Sequence, residues 1–381
     1  MNILIIARGY PDKNDPQWGG FERDQAEALS SIGHNVVVAS VDKRFRLYRR
    51  RLGISRRIDG KVVVYNSYYL PNVFFRHWAD RIYFKFVFWQ MRKIYDIIAR
   101  ECFKPEVIYS HYLSNTALAV GLKKIYQVPV VGLEHWSRLN DKRLSTFVKW
   151  LGDNTYPYVD RQIAVSSRLA DRISQLFGIE VDVIHNMVNK RFFATHKLTK
   201  SETDFIFVNI GSLFPIKGHD ILIKAFAQTN FGENVKLLIV GDGRRRRYLQ
   251  NLINTLNLEK KVTLLGRKDK DEIIRILSFS NVFVLSSLSE NFSVAVIEGL
   301  AMGLPVVATL CGGTEECISE LNGLLVPVGD VAGLSAAMRQ IYENYESYNK
   351  EVIAEDCKCK YSPEVIVKKL DKVFKEVVSK N

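Results

Sequence analysis

The sequence predicts an α/β protein built from two tandem doubly wound domains, and three observations carry that expectation. The chain has 381 residues, a length that favours two hydrophobic cores over one. Short continuous apolar runs recur along it, separated by segments of helical spacing, the pattern of strands buried on both faces in parallel sheets. The rhythm breaks at HKLTKSETD, residues 196–204, where a polar stretch reads as a linker. The expected domains are 1–195 and 196–381, with the carboxyl ends of the two sheets facing a central cleft.

Residues 2–7 form the first apolar run, followed by a loop with Gly9, Pro11, Pro16, Gly19 and Gly20. Phe21, Gln25, Leu29 and Ile32 then stand at helical spacing before Gly33, and Val36 to Ala39 is a second buried run. Strand, loop, helix and strand make a βαβ unit. Val107 to Tyr109, Val128 to Leu133 and Ile163 to Val165 continue the first sheet. Beyond the linker, Phe205 to Ile210, Leu237 to Val240, Val262 to Leu265, Val282 to Leu285 and Val306 to Ala308 read as strands. They alternate with helices near 219–228, 245–256, 271–279 and 293–302. Ser362 and Pro363 open a last helix over 363–379, whose apolar stripe of Ile366, Leu370, Phe374 and Val377 suits packing back on the N-terminal domain.

Composition excludes several classes. With 47% hydrophobic and 25% charged residues the chain is neither disordered nor a coiled coil. Five scattered cysteines make neither a disulfide framework nor a spaced zinc site, which fits a reducing compartment. MNILIIA reads as a strand and not a secretory signal, and the longest uncharged stretches, 107–122 and 299–314, are too polar or glycine-rich to span a bilayer. A cytoplasmic protein is expected. Its charge is lopsided: residues 1–200 hold 32 basic and 18 acidic side chains, against 22 and 23 in the remainder. KRFRLYRRRLGISRR, residues 43–57, contains no acid, and FFRHWADRIYFKFVFWQMRKIYDIIAR, residues 74–100, is aromatic and basic at helical spacing. Together they suit an anionic membrane surface, with a core helix as the alternative for the second.

The segment SENFSVAVIEGLAMGLPVVAT, residues 289–309, is the most informative for chemistry. Glu290 follows a strand and Glu298 lies in the next helix, with Asn291 and Ser293 as natural caps. Were helix continuous between the two acids, their carboxylates would lie about 12 Å apart, beyond the ~5–9.5 Å of a glycosidase pair. That span suits grasping two ends of one ligand.

These residues resemble a known family. Two glutamates at this spacing, followed by GLAMGLPVVAT and Gly312-Gly313-Thr314, look like the donor signature of the retaining glycosyltransferases of family 4, which have the GT-B fold of two Rossmann-like domains. WGGFERDQAEALSSIGHNVVV (18–38), HNMVNKRFF (185–193), IGSLFPIKGHDILIKAF (210–226), VGDG (240–243) and NGLLVPVGD (322–330) are similar to other family segments in the same order. The resemblance implies a hexose-type transfer from a nucleotide-diphospho-sugar, UDP- before GDP-, to a glycan or lipid-linked acceptor in surface polysaccharide assembly. The protein would then be peripheral at the inner face of the membrane.

It also implies roles. Glu298 would hold the ribose and Glu290 the donor sugar, with Lys217 on the diphosphate. Backbone N–H groups of Phe292, Ser293 and Gly19 or Gly20 would complete the cradle, and Gly211, Ser212, Gly241 and Asn291 would line the donor site. His135 would meet the sugar, and His111 and Glu134 would lie on the acceptor side, Glu134 as a candidate base. The resemblance implies no cofactor and no metal. The chain departs from the family at Ser212, where Arg is frequent, so Arg244 or Arg267 would have to supply the missing cation, and at Asn291, where Gly is usual.

Other signals read differently. Asp269-Lys270-Asp271 fits a helix cap better than a metal site, and GDG at 241–243 lacks the rest of a dinucleotide fingerprint. The four arginines at 244–247 read as a solvated helix start or a phosphate neighbour. A sugar-nucleotide epimerase of the same fold is the alternative enzyme. An anionic-polymer binder is the alternative from another class; recognition of nucleic acid would leave Glu290 and Glu298 without a role.

Overall fold

The computed structural model describes every residue except 17, 43, 45–50, 70–79, 142, 195–203 and 381. The chain divides into two compact units, Met1–His185 with Ile366–Asn381, and Asn186–Val365. The boundary therefore lies between His185 and Asn186, ahead of the expected 195/196. The reason is local: Val188 donates to the Tyr361 carbonyl at 2.9 Å, Phe192 is buried, and Arg191 pairs with Asp271, all within the second unit. The linker read at 196–204 lies outside the described residues except for Asp204.

The first unit alternates strands and helices: β1 (Asn2–Ile6), α1 (Gly20–Ser31), β2 (Asn35–Asp42), β3 (Gly53–Asp59), β4 (Val62–Tyr68), α2 (Asp80–Glu101) and β5 (Val107–His111). It continues with α3 (Leu113–Tyr126), β6 (Val130–Glu134), α4 (Thr146–Asp153), β7 (Arg161–Ala164), α5 (Ser167–Phe177) and β8 (Asp182–Val183). The sheet runs β3-β4-β2-β1-β5-β6-β7-β8, parallel except for the β3–β4 hairpin. Strand order reverses at β1, which pairs with β2 on one side and β5 on the other. Such a switch point opens a crevice at the strands' carboxyl ends.

Of the basic run 43–57, residues 43 and 45–50 lie outside the described residues, and the end of the run belongs to the β3–β4 hairpin. There, on edge strand β3, exposed charges discourage pairing with another chain. Some of the run's cations are used internally: Arg44 bonds Asp15 at 2.7 Å and Asp42 at 2.8 Å, and Arg57 donates to the carbonyls of Tyr10 and Pro11. Residues 74–79 of the aromatic, basic stretch lie outside the described residues; the rest forms helix α2, which packs one face into the core. Val87, Met91, Ile94, Tyr95 and Ile98 are buried, while Ile82, Phe86 and Trp89 are 71%, 38% and 47% exposed.

The second unit contains β9 (Phe205–Ile210), α6 (His219–Thr229), β10 (Val235–Val240), α7 (Arg246–Thr255), β11 (Val262–Gly266), α8 (Lys270–Phe279), β12 (Val282–Leu285), α9 (Val294–Ala301) and β13 (Val306–Thr309). It ends with β14 (Gly323–Val326), α10 (Val331–Glu343) and α11 (Lys350–Tyr361). All six strands are parallel, in the order β11-β10-β9-β12-β13-β14, and the switch point falls between β9 and β12. The final helix, α12 (Pro363–Ser379), starts in the second unit and enters the first. There Phe374 meets the ring of Tyr109 at 5.1 Å and Asp371 pairs with His34 at 3.0 Å.

Candidate active site

At the second unit's switch point, the loop after β9 is fastened to the loop after β12. Leu288 N–H donates to the Ile216 carbonyl at 2.8 Å, and Ser286 Oγ donates to the Lys217 carbonyl at 3.0 Å. Gly218 permits this approach: its φ is +61° and a Cβ there would lie 2.1 Å from the Ser286 carbonyl oxygen. The fastening brings Lys217 Nζ to 2.5 Å from Glu290 Oε1, which also accepts from Ser287 Oγ at 2.7 Å. Two residues far apart in the chain thus form an ion pair that is 26% exposed at lysine and 12% at glutamate.

Around them, Gly211 N–H bonds the Val240 carbonyl at 2.9 Å, and a Cβ on Gly241 would strike the Gly211 carbonyl at 1.9 Å. Glu290 N–H donates to Cys311 at 2.8 Å. Gly313 packs so tightly on Asn291 that a Cβ would lie 1.9 Å from its carbonyl oxygen. Asn291, Phe292 and Ser293 are buried, Phe292 beside the ring of Tyr361. Helix α9 begins only at Val294, so residues 290–293 are not helical and the spacing expected for a continuous helix does not apply. Ser293 occupies the N-cap position without a side-chain cap bond, contrary to the expected capping role. Glu298 lies inside α9, half-buried.

The surrounding cations have distinct partners. Ser212 and Arg267 are exposed. Arg244 lies over the Phe214 ring, Arg245 bonds Asp220 at 3.0 Å, and Arg246 donates to the Leu264 carbonyl. His219 is buried, and burial and the nearby Lys217 ammonium lower it to about 4. Asp269 caps α8 by a reciprocal capping box with Glu272, the role expected of it.

The first unit places Gly19, His111, Glu134 and His135 around its own switch point. Gly19 has φ +82°, and a Cβ would lie 2.3 Å from the Gly9 carbonyl oxygen, whereas Gly20 is open. His135 is stacked on Tyr112, ring centroids 4.1 Å apart, and near His111 at 5.5 Å. Burial holds both imidazoles neutral, His111 at about 3 with help from Arg8.

Two expectations for the acceptor side need correction. His111 is wholly buried and so does not line a surface. Glu134 is 1% exposed and its oxygens accept from Leu113 N–H at 2.7 Å, Tyr156 Oη at 3.0 Å, His135 N–H at 2.9 Å and Trp136 N–H at 2.8 Å. Burial pushes its carboxyl up to about 7 against those donors. It is a positioning residue that ties the start of α3 to the turn carrying His135, and it is not aimed at an acceptor. Not singled out from sequence were Arg8, Glu22 and Tyr112, which gather here. Their signal was position, since Arg8 and Tyr112 stand just beyond the carboxyl ends of β1 and β5.

Two parallel-sheet α/β domains, each with polar residues collected at its switch point, define the GT-B class of sugar-transferring folds. The family profile "Glycosyl transferases group 1" matches residues 190–354 and "Glycosyltransferase Family 4" matches residues 23–192, so the chain belongs to the group 1, family 4 glycosyltransferases. An uncharacterised glycosyltransferase of Methanocaldococcus jannaschii is 26% identical over 98% of both chains. N-acetyl-alpha-D-glucosaminyl L-malate synthase of Bacillus anthracis is 23% identical over 99% of this chain and 98% of its own. Among solved structures, Anabaena HepE in complex with UDP-glucose superposes with a TM-score of 0.74 at 18% identity, covering 99% of this chain and 100% of that one.

Proposed function

We propose that the protein is a retaining, metal-independent hexosyltransferase that moves a sugar from a UDP-sugar to a glycan or lipid-linked acceptor in surface polysaccharide assembly. The Lys217–Glu290 pair at the β9/β12 switch point carries the reading. A carboxylate that holds an ammonium in place at a partly exposed site keeps a cation ready for the diphosphate, and the leaving group's growing charge strengthens that contact in the transition state. Glu290 then turns to sugar hydroxyls, Glu298 takes the ribose, and Phe292 and Ser293 lie where α9 can offer backbone N–H groups to phosphate. On the first unit, where the acceptor binds, His135 offers a neutral imidazole. The UDP-glucose on the Anabaena protein supports the donor class. The α-linked product in the Bacillus enzyme's name supports retention, since an α-linked donor yielding an α-linked product is net retention.

The enzyme works at the inner membrane face, held by the basic first unit and by Ile82, Phe86 and Trp89, whose outward exposure suits the headgroup region. Calorimetric titration with UDP tests the donor assignment. Glu298→Ala should lose about tenfold or more in affinity, as expected for charge-assisted hydrogen bonds; binding equal to the parent would refute the ribose role.

A further inference from the structure

At the first unit's switch point a cation lies against two aromatic rings, with one buried carboxylate at the edge of ion-pair distance. The Arg8 guanidinium lies 4.1 Å from the centroid of Trp18 and 4.8 Å from that of Tyr112. Its nearest carboxylate, Glu22, reaches only Nε and only at 4.0 Å. No described residue hydrogen-bonds the guanidinium, and the side chain remains 40% exposed. The arrangement is built at a cost. Tyr112 is forced to φ +69°, ψ 143°, a conformation that a bulky residue adopts only where its surroundings demand it, and in it the ring is shared between Arg8 and His135. Gly9 must lack a side chain, since a Cβ would lie 2.0 Å from Trp18 Nε1, and that indole N–H in turn bonds the Arg8 carbonyl at 3.3 Å. Close by, Glu22 and His111 are wholly buried, and neither ring nitrogen of His111 hydrogen-bonds a described residue. Backbone strain and a buried, unpartnered imidazole at a switch point mark a ligand site.

We propose that Arg8 recognises an anionic group, a phosphate or a carboxylate, on the acceptor. The inference rests on the reading that the first unit binds acceptor. A guanidinium lying against the rings of Trp18 and Tyr112 keeps its planar array of N–H donors, the geometry for two parallel bonds to an oxyanion. Glu22, at 4.0 Å, orients Arg8 without taking up those donors.

The test follows the Arg8 Nε–Hε resonance in ¹⁵N-labelled protein, assigned by its loss in Arg8→Lys, during titration with inorganic phosphate or succinate at ionic strength held constant with chloride. The resonance should shift and saturate in the millimolar range with one or both anions. Response to phosphate alone assigns a phosphorylated acceptor, and response to succinate alone a carboxylated one. Tryptophan fluorescence follows the variants, with a melting curve to show that each is folded. Arg8→Lys should bind the chosen anion about tenfold more weakly, because an ammonium cannot make the bidentate contact, and Tyr112→Leu should weaken binding by releasing the stack. An Arg8 resonance unmoved by both anions, or a folded Arg8→Lys that binds as tightly as the parent, overturns the proposal. UDP titration of the parent separates the two readings. UDP binding without an Arg8 response leaves the donor assignment standing and this inference refuted; an Arg8 response without UDP binding does the reverse.

Discussion

Glu134 offers a prediction whose sign and size follow from its surroundings. The carboxyl is buried and pushed up to about 7, from an ordinary 4.5, because desolvation outweighs its four donors. The native state therefore holds this proton over a pH range in which the unfolded chain has released it. Below pH 4.5 both states are protonated and the group's contribution is complete. As pH rises through 4.5 towards 7 the contribution is lost, and above about 7 the loss is constant. The interval amounts to about 3 kcal/mol. Glu134→Gln does not titrate, and its amide nitrogen leaves two of the four donors without an acceptor at every pH, so the variant should start below the parent at acid pH and gain about 3 kcal/mol relative to it as pH rises from 4.5 to above 7. Urea unfolding of parent and variant from pH 4.5 to 8 measures the difference, in which histidines and other shared titrations cancel. A difference that does not change with pH, or one that turns against the glutamine variant as pH rises, would refute the claim that burial dominates the donors.

Gly218→Ala should destabilise the second unit by at least about 1–2 kcal/mol from its left-handed backbone alone. The overlap with Ser286 should also part the two loops, so melting and UDP affinity fall together; an alanine variant with parental values for both would show that the fastening is dispensable. Lys217→Ala should lower kcat more than UDP affinity, with little recovery in Lys217→Arg, and equal losses in both would remove its transition-state role. Activity should survive EDTA, because the diphosphate charge is assigned to Lys217 and the start of α9; strict dependence on added magnesium would overturn that assignment. Phe86→Ser with Trp89→Ser should abolish co-sedimentation with anionic vesicles while leaving the melting temperature within a few degrees, since these side chains face outward; undiminished sedimentation would assign the membrane to another surface.

The buried strands of both sheets were legible in the sequence because periodicity is local: a strand covered on both faces is apolar at consecutive positions, whatever its neighbours. Hairpin β3–β4 was not, because an edge strand carries charge on its open side and Arg56 and Arg57 hide the alternation. Glu290 and Lys217 could be singled out from motifs, but their ion pair required the β9 and β12 loops to be adjacent, which follows from strand order. Ser293 looked like a cap because caps are read from residue type; the position was right, but its side chain makes no cap bond. Glu134 reversed its reading altogether. From sequence it was an acid at a strand end, hence a candidate base, but donors from Leu113, Tyr156, His135 and Trp136 converge on it and turn it into a buried strut. Arg8 shows the same limit, since Trp18 and Tyr112 reach it only when β1 and β5 lie side by side. Sequence determined which segments are buried and which residue types could do chemistry. Tertiary structure decided what each charge meets, because electrostatic and hydrogen-bonding energies fall off over a few ångströms and the partners come from distant parts of the chain.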